Sequence, residues 1–522
     1  MHIQNEQGKT PWRVCALCVF WLLVGVYWAA FGLNCLKYTG RYSPDSVIYI
    51  NAAEVFLKTG RVSHSFYELH EAMKLDRVPP IPMTVWNPLY PVLIAAFSLA
   101  MTPAAAALAV SVLCQGLFLI AAFLLVRRLA GGGAALLGTA ALLHFSPLIL
   151  VAVRAWSETT ALASLAACLL LLPGARPPGG RAAALAAGIM GGLAFLARLA
   201  LVPVAPVGVL VIMRRGRPRE SLLNAGLFSG AFLLLAGPVL VRRHLNAPPP
   251  VAPGGLLQVV SDTAGAVWSG LIPEGWFVRL FYALLCVVFL ALFLRRLRSG
   301  DGGIIKALSR RSLILPLWAL AYLAFLIYTC SRMYIDSVGA RLALPATFAL
   351  LLFLVILVHA LARPPFWLCA AAALLLVGHA AVSEARTLRS VLPANIAPAH
   401  EIALRRDNWE SMQWLHEHAG PGDLIIAEDG LDLPLFLGPV KVLYFLGNDE
   451  RVVSQEAFWG YLDRHRGEYR RVFLVIKPAK QPGETGAGRD PSGMRRIAAG
   501  LEAAARLKDG EVFELRGEEP GR

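Results

Sequence analysis

Two acids and two arginines are the residues of this chain best suited to chemistry. Asp45 follows the first long apolar segment, Glu158 and Arg198 lie at the ends of later ones, and Arg341 begins another. Ionisable side chains at membrane depth usually face a cavity or a partner. A carboxylate can take a proton from a hydroxyl, and guanidinium groups can hold a phosphate and stabilise its growing charge. The set therefore suits transfer of a group from a phosphate-linked donor.

Three further residues could bind a substrate rather than react with it. Arg154 lies shortly before Glu158 in the chain and can contact a lipid phosphate. Trp86 and Tyr90 belong to the segment Trp86-Asn-Pro-Leu-Tyr-Pro91, and such aromatic residues are common at the membrane–water interface. All three are candidate binding residues, with interfacial anchoring as the simpler alternative.

The charged candidates also have structural alternatives. Asp45 could be the cap of the helix predicted over residues 46–59. Glu158 could simply begin the helix predicted over 159–173, where the helix dipole favours an acid. The two arginines could extend their side chains to lipid headgroups. A cap and a catalytic base are compatible roles, because a cap also fixes the position of the carboxylate.

Composition indicates a polytopic membrane protein. The chain has 522 residues, of which 57% are hydrophobic and 16% charged, whereas soluble domains are about half apolar and about a quarter charged. Apolar segments long enough to cross a bilayer as helices recur from residue 14 to about residue 383. The net charge of +15 is concentrated in short arginine clusters between these segments. Such clusters indicate cytoplasmic loops that can also contact membrane lipids, rather than nucleic-acid binding.

The arginine clusters predict how the chain is threaded. The N-terminus is expected in the cytoplasm and the loop 34–102 outside, with Leu89–Met101 too short to span and therefore interfacial. Residues 1–389 form the predicted transmembrane domain, with about eleven helices. The predicted spans are 14–33, 103–126, 134–152, 159–173, 182–197, 199–213, 221–241, 276–294, 312–330, 342–362 and 366–383.

Residues 390–522 have a different character and predict a small soluble α/β domain outside the membrane. An amphipathic helix is predicted over 408–416, and buried strands are predicted over 424–427 and 472–476. The domain contains no glycine pattern typical of nucleotide binding. Its sequence alone assigns it no activity.

The candidate residues lie in short segments that resemble motifs of a known family, the GT-C glycosyltransferases. The segments are Ser43-Pro-Asp45, Asn87-Pro-Leu-Tyr-Pro91, Ser157-Glu158 and Gly192-Leu-Ala-Phe-Leu-Ala-Arg198. The pattern is similar in particular to that of bacterial enzymes related to aminoarabinose transferase and of the protein mannosyltransferases. The resemblance covers roughly residues 14–240, and extends more loosely to Arg341-Leu-Ala-Leu-Pro345.

The resemblance implies an inverting glycosyltransferase at the outer face of a bacterial inner membrane. Its donor would be a polyprenyl-phosphate-linked sugar, and its acceptor a lipid, a glycan or a protein. Asp45 would be the general base and Glu158 a second carboxylate that shapes the acceptor site, while Arg198 and Arg341 would bind the lipid phosphate. Many relatives carry a second acid directly after the first-loop aspartate, but here that residue is Ser46. A divalent metal is therefore not supported, and no cofactor is predicted.

Two other function classes stay open from the sequence. One is a transporter or flippase for lipid-linked substrates, although such proteins often show pseudo-symmetric halves and polar residues near the midplane. Here the candidates are predicted at one face, and no internal repeat is evident. The other is a non-catalytic membrane assembly factor, with residues 390–522 as its docking module.

Overall fold

The structure is a computed structural model in which the chain forms two compact units. One unit comprises Met1–Lys37 and Leu108–Asn395, and the other comprises Tyr38–Ala107 and Ile396–Arg522. The sequence predicts a transmembrane domain over residues 1–389 and a soluble domain over residues 390–522. That boundary concerns location in a membrane and not compactness, so it stays a prediction. The structure describes residues 11–37, 43–69, 72–73, 76–83, 87–172, 180–214, 218–245, 256–271, 276–298, 312–332, 339–391, 409–428, 440–445, 454–476, 497–498, 502–507 and 510–515.

Helices dominate the described residues, and strands are confined to two stretches of chain. The helices, in chain order, are α1 (Pro11–Lys37), α2 (Pro44–Thr59), α3 (Leu89–Phe97), α4 (Pro103–Ala130), α5 (Gly132–Leu143), α6 (Ser146–Val153), α7 (Glu158–Leu171), α8 (Arg181–Ala197), α9 (Val204–Met213), α10 (Pro218–Leu245), α11 (Leu256–Leu271), α12 (Trp276–Arg298), α13 (Ile314–Arg332), α14 (Ala340–Ala362), α15 (Phe366–Val391), α16 (Trp409–His418) and α17 (Gln455–Arg464). The strands are β1 (Ser63–His64), β2 (Phe66–Glu68), β3 (Ile81–Pro82), β4 (Leu424–Glu428), β5 (Lys441–Phe445), β6 (Val472–Ile476), β7 (Ala503–Leu507) and β8 (Gly510–Leu515).

The first unit is helical because its segments are long and apolar, and a backbone in hydrocarbon must satisfy its own hydrogen bonds. Among the described residues, 7 helices are long and apolar enough to cross a membrane, or up to 8 if α5 and α6 form one bent span. Three shorter apolar segments, at α7, α8 and 199–213, complete the set. Each predicted span contains a helix, which confirms the polytopic helical class. The count of eleven stays a prediction.

The segment predicted as one helix over 134–152 is broken in the structure. The helices α5 and α6 meet at an angle of 55°. Phe145 is extended, and Pro147 in the first turn of α6 has no N–H to donate to the carbonyl of Leu143, so one continuous helix would lose a hydrogen bond here. The Nε2 atom of His144 lies 3.1 Å from the carbonyl oxygen of Leu376 in α15, which ties the break to a neighbouring helix.

Small residues let the helices of this unit approach closely. A Cβ atom built on Gly188 of α8 would lie 2.3 Å from the carbonyl oxygen of Phe228 in α10. The Phe228 ring itself fills the space beside Gly208 of α9, where a Cβ would lie 2.3 Å from its tip. The segment 181–213, in which Arg198 follows the end of α8, is therefore packed tightly against α10.

The helices α1 and α15 run in the same direction. Asn34, near the end of α1, donates hydrogen bonds to the side chain of Glu384 at 2.8 Å and to its backbone carbonyl at 3.0 Å. Glu384 lies near the end of α15. The sequence predicts that α1 and α15 both leave the membrane at these ends, on the same side. The contact between Asn34 and Glu384 agrees with that prediction, because it brings the two ends together.

The second unit is built on a six-stranded sheet of order β2-β5-β4-β6-β8-β7. The strands β2, β5, β4 and β6 are parallel, and β8 and β7 continue the sheet in antiparallel fashion. The predicted strands over 424–427 and 472–476 are confirmed as β4 and β6. The strand β2 comes from the loop after α1, which the sequence did not predict.

The helix α2 begins at a capping box that corrects one alternative for Asp45. The Oγ atom of Ser43 accepts a hydrogen bond from the backbone N–H of Ser46, and the Ser46 side chain bonds back to the Ser43 backbone. The cap is therefore Ser43, and the alternative that Asp45 is the cap is wrong. Asp45 lies in the first turn, where an acid is favoured by the helix dipole. Gly60 ends the helix in the left-handed conformation, with φ of 68°.

The helix α3 has 9 residues, which corresponds to a length of about 14 Å. It is too short to cross the hydrocarbon core, as expected for the segment 89–101. Its position in the membrane interface stays a prediction.

Glu54 of α2 makes the free energy of unfolding of the protein depend on pH. Its Oε2 atom is buried without a hydrogen-bond partner among the described residues, and burial raises the pKa of its carboxyl to about 7, with Lys58 acting in the opposite direction. The folded pKa exceeds the ordinary value of 4.5, so the folded state binds this proton more tightly than the unfolded chain. The stability that Glu54 contributes should be fully present below about pH 4.5 and be lost as the pH rises to about 7.

The neutral variant Glu54→Gln should lack this pH dependence. Above pH 7 it should exceed the wild type in unfolding free energy by on the order of 2 kcal/mol. The measurement is unfolding of the detergent-solubilised protein between pH 4 and pH 8. Glu502→Gln, at an exposed glutamate of the same unit, is the control. Parallel pH profiles for Glu54→Gln and the wild type would contradict the assignment.

Candidate functional site

Glu158 is the centre of the candidate site. It is the first residue of α7, and its side chain is only 1% exposed. Its Oε1 atom accepts hydrogen bonds from Nη1 of Arg198 and from Nε of Arg341. Its Oε2 atom is buried and has no hydrogen-bond partner among the described residues. One carboxylate oxygen therefore holds two guanidinium groups, and the other oxygen is left to accept a hydrogen bond.

Arg198 reaches Glu158 because helix α8 ends at this residue. Its backbone N–H still bonds to the Ala194 carbonyl, but its own φ and ψ of −154° and 113° are extended. The chain then turns through a short 3₁₀ segment before α9. The side chain is 12% exposed, so its charge is largely removed from water.

Arg341 is held at the start of α14 by contacts from α13. The Tyr322 hydroxyl donates to the carbonyl of Leu342 at 2.7 Å, and the Trp318 indole donates to the carbonyl of Pro345 at 3.1 Å. Pro345 has no N–H, so it cannot give the carbonyl of Arg341 its usual helical hydrogen bond. The side chain of Arg341 is 26% exposed, more than that of Arg198.

Trp156 is a site residue that the sequence analysis missed. The Cζ atom of Arg341 lies 3.8 Å from the centroid of its ring, and that of Arg154 lies 5.2 Å from the ring. The intervening Ala155 is buried in the left-handed conformation, with φ of 51°, which is uncommon for a residue with a side chain. The strained turn places an aromatic ring against two cations, a favourable arrangement. The sequence does contain a signal for Trp156, because this aromatic residue lies between two candidate site residues, Arg154 and Glu158.

The contacts of this cluster bring three arginines close to one carboxylate. Three arginines, Arg154, Arg198 and Arg341, lie within direct contact of Glu158 or of Trp156, and Glu158 supplies the one carboxylate in those contacts. Guanidinium groups gathered in a partly dehydrated place favour an anionic ligand, and phosphate matches their donor geometry. The arrangement can therefore hold a phosphate while Glu158 keeps two of the cations in position.

The remaining predicted site residues belong to the second unit. Asp45 is half-buried in the first turn of α2, and its predicted meeting with Glu158 stays a prediction. Tyr90 is fully buried, donates its hydroxyl to the carbonyl of Ala107 at 2.9 Å and packs edge-on against Tyr49. These are packing contacts, and its binding role also stays a prediction. Trp86 lies outside the described residues.

No group of three or more histidine, cysteine, aspartate or glutamate side chains within the described ranges is arranged to hold a metal ion. The predicted lack of a metal and of a cofactor stays a prediction.

Comparison with solved structures identifies the fold. ArnT from Cupriavidus metallidurans bound to undecaprenyl phosphate superposes with a TM-score of 0.59 at 15% identity, covering 97% of this chain and 98% of that one. The chain has a GT-C fold. The apo state of the same protein gives a TM-score of 0.58 at 14% identity, covering 96% and 97% of the two chains. Both the predicted GT-C resemblance and the helical membrane class with a small C-terminal sheet domain are confirmed.

Two further comparisons complete the result. The archaeal oligosaccharyltransferase AglB from Archaeoglobus fulgidus, in complex with an inhibitory peptide and a dolichol-phosphate, is a weaker structural match, with a TM-score of 0.46 at 13% identity over 89% of this chain and 69% of that one. No family model and no curated protein sequence matches the chain. The fold is therefore shared with ArnT at low sequence identity and without a match to a family model or a curated protein.

Removal of Glu158 should destabilise the GT-C fold of the first unit. Glu158→Ala leaves the guanidinium groups of Arg198 and Arg341 without their buried carboxylate, so the unfolding free energy should fall by about 3–5 kcal/mol. Glu158→Gln should have a smaller effect, because its amide oxygen can still accept hydrogen bonds. The measurement is chemical unfolding in detergent.

The control for this prediction is Glu417→Ala on the exposed face of α16. Its effect should lie within about 0.5 kcal/mol of the wild type. Equal stability of Glu158→Ala and Glu417→Ala would show that the arginine cluster does not depend on the carboxylate.

Proposed function

We propose that the protein is an integral-membrane glycosyltransferase. It moves a sugar from a polyprenyl-phosphate donor to an acceptor hydroxyl at the outer face of the membrane. The observation that carries the proposal is the buried Glu158 with two arginines on one oxygen and a third arginine on the neighbouring Trp156. The GT-C fold supports it, since the ArnT structure with that fold is bound to undecaprenyl phosphate.

The arginine cluster serves the donor phosphate in this proposal. Guanidinium groups bind phosphate through paired hydrogen bonds, and they stabilise the charge that grows as the sugar–phosphate bond breaks. A site at the ends of membrane helices lets the polyprenyl tail stay in hydrocarbon while the sugar meets a polar acceptor. Glu158 holds Arg198 and Arg341 in place before the donor binds, so little reorganisation is needed during the reaction.

Asp45 is the proposed general base. The acceptor oxygen attacks the anomeric carbon as the bond from that carbon to the phosphate oxygen breaks, and the hydroxyl proton passes to the Asp45 carboxylate. The leaving group is polyprenyl phosphate, whose negative charge rests on the arginines. Attack from the face opposite the phosphate inverts the anomeric centre. The capping box at Ser43 fixes the turn of α2 that carries Asp45.

Glu158 has a second proposed task through its Oε2 atom. A buried carboxylate oxygen without a partner costs free energy unless a ligand donates a hydrogen bond to it. A hydroxyl of the sugar or of the acceptor is the donor that fits this reaction. The reaction needs no cofactor, because arginines stabilise the leaving phosphate and a carboxylate takes the proton.

The proposed location is a bacterial inner membrane, with the N-terminus in the cytoplasm and residues 390–522 outside. The shared side of Asn34 and Glu384 supports the orientation of α1 relative to α15. The acceptor is a lipid, a glycan or a protein that carries a free hydroxyl.

Replacement of the base should slow transfer strongly without loss of donor binding. For Asp45→Asn we expect kcat to fall by about 100-fold or more, with a similar KM for the donor, because the amide cannot take the proton. The measurement is transfer of a labelled sugar from a polyprenyl-phosphate donor by purified protein. Asp463→Asn, at an exposed aspartate of the second unit, is the matched control.

Each outcome of this assay separates the alternatives. Unchanged turnover of Asp45→Asn would remove Asp45 as the base. Movement of the intact lipid-linked sugar across vesicles without transfer would indicate the transporter. Donor binding with neither transfer nor movement would indicate the assembly factor.

Arg341 should act through the shape of its guanidinium as well as its charge. Arg341→Lys keeps the charge but loses the planar group that stacks on Trp156, so the KM for the donor should rise by about tenfold. The control is Arg506→Lys, at an exposed arginine of β7. Direct binding of undecaprenyl phosphate to both variants checks the result, and equal affinities would contradict the phosphate assignment.

A further inference from the structure

The C-terminal domain shares its sheet with the loop that carries Asp45. The strand β2 lies at the edge of the six-stranded sheet and pairs in parallel with β5. The aligned residues are Phe66 with Val442, Tyr67 with Leu443, and Glu68 with Tyr444. A backbone ladder between segments so distant in sequence fixes the loop against the domain.

The hydrophobic core of the domain is also shared. Leu69, Ala72, Val78 and Ile81 of the loop are buried in the same cluster as residues of the domain strands. The domain side of this cluster includes Leu424, Ile426, Leu443, Phe458, Leu474 and Phe513. Burial of the loop side chains in a common core stabilises the contact between the loop and the domain.

Polar side chains also join the loop to the domain at the surface. We call this cluster the clasp, and it consists of Asp76, Tyr461, Arg464, His465 and Glu468. The Oδ1 atom of Asp76 accepts a hydrogen bond from Nε of Arg464 at 3.1 Å, and the same oxygen lies 3.2 Å from Nε2 of His465. The Nδ1 atom of His465 lies 2.8 Å from Oε1 of Glu468. The hydrogen bonds from His465 and Arg464 hold the pKa of Asp76 below its usual value. The Tyr461 hydroxyl donates to the backbone carbonyl beside Asp76, at residue 77, over 2.7 Å.

The same loop is joined to helix α2. The strands β1 and β3 pair with each other and so link residues 63–64 to 81–82. Ser65, which follows β1, donates its N–H to Oδ1 of Asn51 at 2.7 Å, and Nδ2 of Asn51 donates to the Ser65 hydroxyl at 2.8 Å. Both side chains are buried. Asn51 lies in α2 about 9 Å along the helix axis from Asp45.

We propose that the C-terminal domain is a positioning element for Asp45. The path runs from the domain through β2, the shared core and the clasp to Ser65 and Asn51, and from there along α2. Asp76 and Tyr461 are positioning residues in this path, and they act on the reaction only through the loop. The inference rests on the proposed function of Asp45, since a displacement of a base by about 1 Å can cost about 100-fold in rate.

The test weakens the clasp and leaves the domain core intact. In the double variant of Asp76→Ala with Tyr461→Phe, the buried ring of Tyr461 is kept while both polar links to the loop are lost. We expect kcat for sugar transfer to fall by about tenfold with an unchanged KM for the donor. We also expect faster hydrogen exchange over residues 44–68, with unchanged exchange over β4 and β6. Glu511→Ala, which breaks the exposed Arg506–Glu511 pair in the same domain, is the control and should match the wild type.

The outcomes separate this proposal from the proposed function. Unchanged exchange over residues 44–68 in the double variant would overturn the structural link. Faster exchange there with an unchanged kcat would overturn the positioning role. If the wild type transfers no sugar at all, the proposed function fails, while the exchange result still decides whether the domain holds α2.

Discussion

One carboxylate joins the ends of three helices in the first unit. Glu158 begins α7, Arg198 ends α8, and Arg341 lies at the start of α14, so their shared contacts fix three chain segments that are far apart in sequence. Removing these charges from water costs free energy, and the pairing offsets that cost only if all three groups stay in place. The tight packing of α8 on α10 through Gly188 and the contacts from α13 to α14 serve this requirement. The cluster thus constrains the helices as much as the helices position the cluster.

The sequence predicted this cluster because membrane topology is a strong restraint. Arginine clusters predict which helix ends are cytoplasmic, so polar residues at the opposite helix ends are expected on one common side. The helical class followed from apolar length alone, and β4 and β6 from short buried runs. The break between α5 and α6 had a local signal in Ser146-Pro147, which the long apolar pattern of that segment concealed.

Other features depend on contacts between residues that are distant in sequence or on an unusual backbone conformation. The strand β2 is three residues long, and its partner β5 lies near the other end of the chain, so neither periodicity nor turn residues could reveal the pairing. The stacking of Arg341 on Trp156 depends on the left-handed backbone of Ala155, a residue that rarely adopts it. Tyr90 was selected as an interfacial aromatic, yet its ring and hydroxyl are both satisfied inside the second unit. Such tertiary contacts decide the environment of a side chain after its segment has been recognised.

The parallel pairing of β2 with β5 has a consequence for biosynthesis. About 380 residues of chain separate the two strands, so at roughly 5–20 residues per second the ribosome takes about 20–80 s to supply the partner of β2. The loop after α1 leaves the ribosome early and must wait for the last part of the protein before its edge strand is paired. During that interval the nascent protein has its long apolar helices but an unfinished loop after α1. The order of synthesis therefore delays the completed loop around Asp45 until the membrane-embedded part of the chain has been made.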